Sequence, residues 1–176
     1  MKINSPLLTI ALRYGAIASL IGFALVVMLF YTGKHPFLIP VYADFRIFLF
    51  GVFIFFALKE YRDQFGAGIL YFWQGMVVSY VFLLSFGLLA ALAIYLFSLL
   101  ETDFVTEFVR LFTEQAKAIP AEELERVGKA DFERNLLELS NTNGYQLALL
   151  HMKQSLIIGF FVSIIITIVL RKQPKA

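Results

Sequence analysis

The sequence predicts an all-α membrane protein: a four-transmembrane-helix bundle with a two-helix extracytoplasmic insert between helices 3 and 4. Of its 176 residues, 60% are hydrophobic and only 16% are charged. Soluble domains have about 45–50% apolar and about 25% charged residues. The apolar residues also form long runs, and about 20 of them in a helix cross the hydrocarbon core of a bilayer. These two observations favour one membrane domain over residues 1–176, solvated mostly by lipid.

The first two predicted spans are residues 7–31 and 41–59. Arg13 is the one charge inside the first, and the apolar stretch after it is longer than a signal-peptide core, so we expect a retained helix. In the second, the purely apolar part (residues 47–58) reaches only about 18 Å as a helix. This span must therefore include Asp44 and Arg46 near one end.

The other two predicted spans are residues 69–100 and 147–170. The third is longer than the core is thick, and its first turns carry aromatic side chains that favour the membrane interface. The insert, residues 101–144, is acidic. Its first half has apolar residues at helical spacing, which predicts an amphipathic helix, and Pro120 opens a second helix.

The distribution of basic residues predicts the orientation. Four spans place both termini on one side, together with most cations of the short loops: Lys2, Arg13, Lys59, Arg62, Arg171, Lys172 and Lys175. Cytoplasmic loops carry the excess of Lys and Arg. We therefore expect a multi-pass protein with cytoplasmic N- and C-termini and an external insert.

Polar residues near the span ends are the candidate structural or functional residues. Asp44 and Arg46 are two positions apart, so we expect them on different helix faces, each with another partner. Asp44 would meet Arg110 or Lys153, and Arg46 would meet an acid of the insert (Glu101, Asp103 or Glu107). A structural clamp between the second helix and the outer helices is the preferred interpretation. A substrate or proton site is the alternative.

Other chemistry finds little support in the sequence. His151 and His35 lack the spacing of a metal site, and the chain has no Cys. No catalytic or cofactor motif is present, so we expect no catalytic residues, no metal and no cofactor. A net charge of +2 is too small to indicate nucleic-acid binding.

Two segments carry a family resemblance. One joins the second and third spans, with Tyr61-Arg62 followed by Gly66, Gly68, Phe72 and Gln74. The other is residues 159–165 of the fourth span, which Arg171-Lys172 closes. The chain resembles the DUF4199 family of small four-span membrane proteins, found mainly in Bacteroidota. The resemblance implies a bacterial inner-membrane location and assigns no catalytic residue.

The junction also has a physical interpretation. Arg62 ends the second helix where a cation meets helix carbonyls and lipid phosphates, and the glycines permit a tight reversal. Gln74 lies one turn into the third helix, where we expect it to satisfy loop carbonyls. A structural corner is preferred, and a cytoplasmic docking site for a partner is the alternative.

Three functions remain as hypotheses. The first is a non-enzymatic accessory or structural subunit of a larger membrane complex, in contact with lipids and with other subunits or copies of itself. The second is a small transporter or lipid-handling protein that uses Asp44, Arg46 and His151 at the outer mouth of the bundle. A membrane enzyme is the least favoured.

Overall fold

The computed structural model describes residues 6–119, 132, 136 and 138–173, and the regular structure in this part of the chain is helical. Five helices are described: α1 (Pro6–Tyr31), α2 (Phe45–Glu60), α3 (Phe72–Leu100), α4 (Asp103–Lys117) and α5 (Gly144–Leu170). Two short 3-10 turns, Pro36–Leu38 and Val41–Ala43, lie between α1 and α2, and a π-helical turn, Tyr61–Phe65, follows α2.

Helices α1, α2, α3 and α5 pack side by side and reverse direction along the chain, so α1 lies parallel to α3 and α2 lies parallel to α5. At one end, which we name the Glu60 end, Arg13 of α1 bonds to Glu60 of α2, and Leu70 before α3 pairs with Lys172 after α5. At the opposite end, the Asp44 end, α1 and α3 meet where Tyr31 donates a hydrogen bond to Glu101. Helix α3 packs extensively on α1 and α5, while α2 packs mainly on α5 and α1.

Aromatic side chains fill the centre of the bundle. Phe50 of α2 and Phe82 and Phe86 of α3 are fully buried, and Phe50 meets both partners edge to face at 6.0 and 4.8 Å between ring centroids. A second apolar cluster lies at the Asp44 end around Phe104 of α4. Helix α4 therefore covers that end of the bundle with its apolar face.

Three helices, α1, α3 and α5, are long and apolar enough to cross a membrane. Helix α2 has 16 residues, about 24 Å of helix. The prediction that a helix begins near residue 41 is wrong, because the side chain of Asp44 caps the helix at that point and Val41–Ala43 forms a separate 3-10 turn. Helix α5 begins at Gly144, before the predicted residue 147, because Asn143 and Gln146 form a capping box.

The first predicted helix of the insert is α4, and its buried residues include Phe104 and Phe108. The predicted second helix falls mostly on residues outside the described part of the chain. Within the described part, Arg110 bonds to Glu107 and Glu114 on the exposed face of α4, so this helix is amphipathic as its sequence pattern predicts.

Glycine at position 15 allows α1 and α3 to approach closely. A Cβ atom added there would lie 2.8 Å from the backbone oxygen of Phe82 and 2.8 Å from Cβ of Ser85, where neither backbone can yield cheaply. At Gly51 of α2, by contrast, an added Cβ has nothing within 4 Å. Close approach of this kind strengthens the van der Waals packing that helps helices associate in lipid.

We predict that Gly15→Ala lowers the free energy of unfolding by about 1–3 kcal/mol, since the new methyl group overpacks the α1–α3 contact. The matched control is Gly51→Ala, which we expect to leave stability unchanged or raise it by up to about 1 kcal/mol through helix propensity. Thermal unfolding in mild detergent measures both. Equal effects of the two substitutions would contradict close packing at Gly15.

Candidate functional site

The site begins with the capping residue of α2. Asp44 has extended backbone angles and stands just outside the helix. Its Oδ1 accepts a hydrogen bond from the backbone N–H of Arg46 at 2.9 Å, one of the N–H groups that a helix leaves without an internal partner. This capping geometry turns the carboxylate back over the first turn, toward the side chain of Arg46.

Arg46 forms the centre of a buried cluster of polar side chains. Its Nε donates to both carboxylate oxygens of Asp44, at 2.9 and 3.0 Å. One terminal nitrogen donates to Asp44 and to Oε1 of Gln154, the latter at 3.0 Å. The other donates to the backbone oxygen of His151 at 3.3 Å and to Oγ of Ser155 at 3.2 Å. All five guanidinium N–H groups therefore have an acceptor.

The predicted partners of Asp44 and Arg46 are wrong, because the two residues pair with each other. The prediction treated both as helical, whereas Asp44 is the cap and its side chain reaches Arg46 directly. Arg110 instead pairs with Glu107 and Glu114 on α4.

The pair is nearly removed from solvent. The side chains of Arg46 and Asp44 are 5% and 8% exposed. Because α2 supplies the charges and α5 supplies Gln154, His151 and Ser155, the cluster joins these two helices. The preferred interpretation, a structural clamp between the second helix and the outer helices, stays a prediction, and the contacts of Arg46 lie on α5.

His151 completes the cluster on α5 and is 2% exposed. Its Nδ1 lies 3.4 Å from a terminal nitrogen of Arg46. Its Nε2 has no hydrogen-bond partner among the described residues. The imidazole also packs against Phe37 and Phe86, with centroids 5.6 and 6.1 Å away. Within the described residues, no group of three or more His, Asp or Glu side chains is arranged to hold a metal ion.

A cavity of about 200 Å³ lies beside the cluster, between α2, α5 and the segment that precedes α2. Its polar lining is Asp44, Arg46 and Gln154, and its apolar walls include Ile157 and Ile158. The cavity therefore combines an apolar wall with one polar edge, a combination that suits part of a lipid or another amphiphile.

His35 connects the segment between α1 and α2 to α4. The ring is buried, its Nε2 lies 3.0 Å from the backbone oxygen of Phe104, and its Nδ1 accepts from the backbone N–H of Phe37 at 3.4 Å. A neutral ring protonated at Nε2 satisfies both contacts. Burial lowers the pKa of His35, opposed by the hydrogen bond to Phe104 and by the charge of Glu107.

The remaining predicted site residues lie elsewhere. Lys153 is exposed on α5 and takes no part in the Arg46 cluster. Arg62 and Gln74 are at the Glu60 end, where Arg62 pairs with Asp63 at 2.8 Å. Gln74 accepts the backbone N–H of Tyr71 at 3.1 Å. Its Oε1 therefore satisfies the N–H of the residue that caps α3, and bonding of Gln74 to loop carbonyls stays a prediction.

Sequence reasoning missed Ser155 and gave Gln154 no role. The spacing between His151 and Ser155 is four residues, which places both on one helix face. Ser163 and Thr167 continue the same row and are buried as well. A row of small polar residues through an apolar helix was the signal that marks the buried face of α5.

The long apolar helices and their packing define the class: a helical protein embedded in a membrane. A family model described as "Protein of unknown function (DUF4199)" matches residues 13–172, nearly the whole chain. The chain belongs to this family, as its resemblance predicted. Comparison with curated proteins finds no match, and comparison with solved structures finds none either.

We predict that Asp44→Asn lowers the free energy of unfolding by about 3 kcal/mol, because it leaves the buried guanidinium of Arg46 without a counter-ion. The amide oxygen of Asn still caps α2, so the change isolates the charge. In the double variant Asp44→Asn/Arg46→Gln the two losses should be less than additive. The exposed Lys153→Gln is the control and should change stability by less than about 0.5 kcal/mol. Additive losses would contradict a coupled pair.

The lowered pKa of His35 predicts that α4 loosens in acid. The docked state prefers the neutral ring, so its stabilisation is complete above about pH 6.5 and is lost as the pH falls toward the lower folded-state pKa. Amide hydrogen exchange of α4, corrected for the intrinsic rate, measures this. His35→Gln retains an N–H donor but does not titrate, so its protection should stay constant. An equal acid-induced loss in both proteins would exclude His35 as the cause.

Proposed function

We propose that the protein crosses the bacterial inner membrane four times, with α1, α2, α3 and α5 as the spans. The packing of these four helices supports this, since α2 contacts α5, α1 and α3, the three helices of transmembrane length. The short α2 fits the bilayer if Asp44 and Arg46 lie at one edge of the hydrocarbon core and Glu60 lies at the other.

The charges at the two ends support cytoplasmic termini. At the Glu60 end of the described chain the cations Arg13, Lys59, Arg62, Arg171 and Lys172 outnumber the acids Glu60 and Asp63. At the Asp44 end the balance is reversed by the acids of α4 and its surroundings. Basic loops remain in the cytoplasm, so in this orientation α4 is external.

We propose that the protein acts as a non-enzymatic accessory or structural subunit of a larger membrane complex. The observation that carries this proposal is the saturation of Arg46: its N–H groups all bond to side chains and backbone of the same bundle. A substrate would have to displace one of these partners. Such a cluster fixes α2 on α5, and it leaves the charged face of α4 as an external contact surface.

The second candidate is a small transporter or lipid-handling protein. The cavity of about 200 Å³ beside Asp44, Arg46 and Gln154 favours it. The centre of the bundle argues against a pathway through it, because Phe50, Phe82 and Phe86 are fully buried there. Lipid binding at the mouth is therefore the more natural form of this alternative.

Topology and assembly are testable together. We expect a reporter fused to the C-terminus to read as cytoplasmic, and an external reading would overturn the orientation. Cross-linking in native membranes, followed by purification in mild detergent, should recover a stoichiometric partner protein. Charge reversal of the exposed Arg110 and Glu114 of α4 should weaken that recovery, while Asp44→Asn should alter it only through stability. A chain recovered alone under these conditions would contradict the subunit role.

A further inference from the structure

The Glu60 end carries a second cluster of charges that the proposed function does not use. Helix α2 closes with a π-helical turn, and the chain then reverses through Ala67 and Gly68, whose φ angles are 49° and 78°. The N–H of Gly68 donates to the backbone oxygen of Arg62 at 2.9 Å. Left-handed backbone and a π-helical turn are both uncommon, and π-helical turns often mark functional sites.

The end of α5 is attached to this turn by backbone hydrogen bonds. The N–H of Leu70 donates to the oxygen of Lys172 at 2.9 Å, and the N–H of Lys172 donates back at 3.1 Å. This bridge holds Lys172 beside the α2–α3 connection. Cations from two distant parts of the sequence therefore meet at one corner.

Lys59, Arg62 and Lys172 all interact electrostatically with the carboxylate of Asp63. Arg62 bonds to it directly at 2.8 Å, and this bond together with the charges of Arg62, Lys59 and Lys172 lowers the pKa of Asp63. The neighbouring acid Glu60 is already paired with Arg13. Lys59 and Lys172 are exposed and form no ion pair within 4 Å with an acid of the described residues. The corner therefore keeps an excess of positive charge.

Exposed aromatic rings mark this corner as a membrane interface. Phe65 lies in the π-helical turn, Tyr71 caps α3 directly after Leu70, and Phe72 and Trp73 begin that helix. All four are exposed, Trp73 by 62%. Aromatic side chains favour the headgroup level of a bilayer, and rings at that level would place the cations at the depth of lipid phosphates.

We propose that the corner formed by Lys59, Arg62 and Lys172 binds the phosphate headgroup of an anionic phospholipid in the cytoplasmic leaflet. The inference rests on the membrane crossing and orientation of the proposed function. A phosphate supplies the negative charge that Asp63 alone does not, and basic pockets between helices on the cytoplasmic side are suited to such headgroups. The lipid would also seal α2, α3 and α5 where the backbone bridge joins them.

The test uses the fluorescence of Trp73, the one tryptophan of the chain. Quenching by brominated phosphatidylglycerol, compared with brominated phosphatidylcholine in mixed bilayers, gives the relative affinity of the two lipids for this end. We expect a preference for phosphatidylglycerol of about fivefold per engaged cation. Lys59→Gln/Lys172→Gln should bring the ratio close to one, because the remaining cation, Arg62, is paired with the carboxylate of Asp63. Asp63→Asn removes the competing carboxylate and should raise it.

The matched control is Lys34→Gln/Lys153→Gln, which removes two exposed cations from the Asp44 end and should leave the ratio unchanged. No lipid preference in the wild-type protein, an equal fall in the control, or a fall with Asp63→Asn would each overturn the proposal. Displacement by millimolar glycerol phosphate would assign the site to a soluble phosphate and overturn the lipid assignment. The reporter fusion measures the orientation independently. If the C-terminus is cytoplasmic and the protein shows no preference for phosphatidylglycerol, the lipid site is refuted and the proposed orientation still holds. If the lysine double variant does not fold, the sign of the Asp63→Asn effect still decides.

Discussion

The bond between the guanidinium of Arg46 and the carboxylate of Asp44 is the interaction on which the arrangement of the bundle depends. An isolated charge in an apolar interior is costly, and a buried pair is tolerated only when its remaining hydrogen-bonding groups are also satisfied. Gln154, Ser155 and the backbone of His151 provide those partners. Since they all lie on α5, satisfying Arg46 fixes α2 against α5 in one register.

This constraint explains why α2 can be the shortest helix of the bundle. Beyond its cap the chain runs through two 3-10 turns, and His35 then attaches this segment to the backbone of Phe104. The Asp44 end is thus closed by the polar contacts of Asp44, Arg46 and His35 and by the aromatic face of α4. At the Glu60 end, the Arg13–Glu60 pair and the Leu70–Lys172 bridge hold the helices together. The apolar centre of the bundle therefore lies between polar contacts at the Asp44 end and polar contacts at the Glu60 end.

The sequence predicts the long helices well because hydrophobic runs of transmembrane length have few alternative structures. Tyr31, Leu100 and Leu170 end their helices as expected from the polar residues that follow them. The error at Asp44 has a physical cause: two residues at spacing two diverge on a helix, but a capping residue is not on the helix. The partners of Arg46 could not be read from the sequence, because they depend on how α5 is rotated against α2. The row of small polar residues on α5 indicates this rotation only when the row is known to face the interior of the bundle.

The role of the protein depends on whether the buried cluster around Arg46 is a fixed joint between α2 and α5 or a site that ligands reach. The most direct measurement is the hydrogen-exchange rate of the Arg46 Nε–H group, followed by ¹⁵N NMR of the protein in lipid nanodiscs and assigned by its loss in Arg46→Lys. If Arg46 is held by its protein partners and shielded from water, the signal should persist and exchange far more slowly than that of the half-exposed Arg13. Exchange as fast as that of Arg13, or a shift on adding a lipid or small anion, would contradict a closed clamp and favour an accessible site.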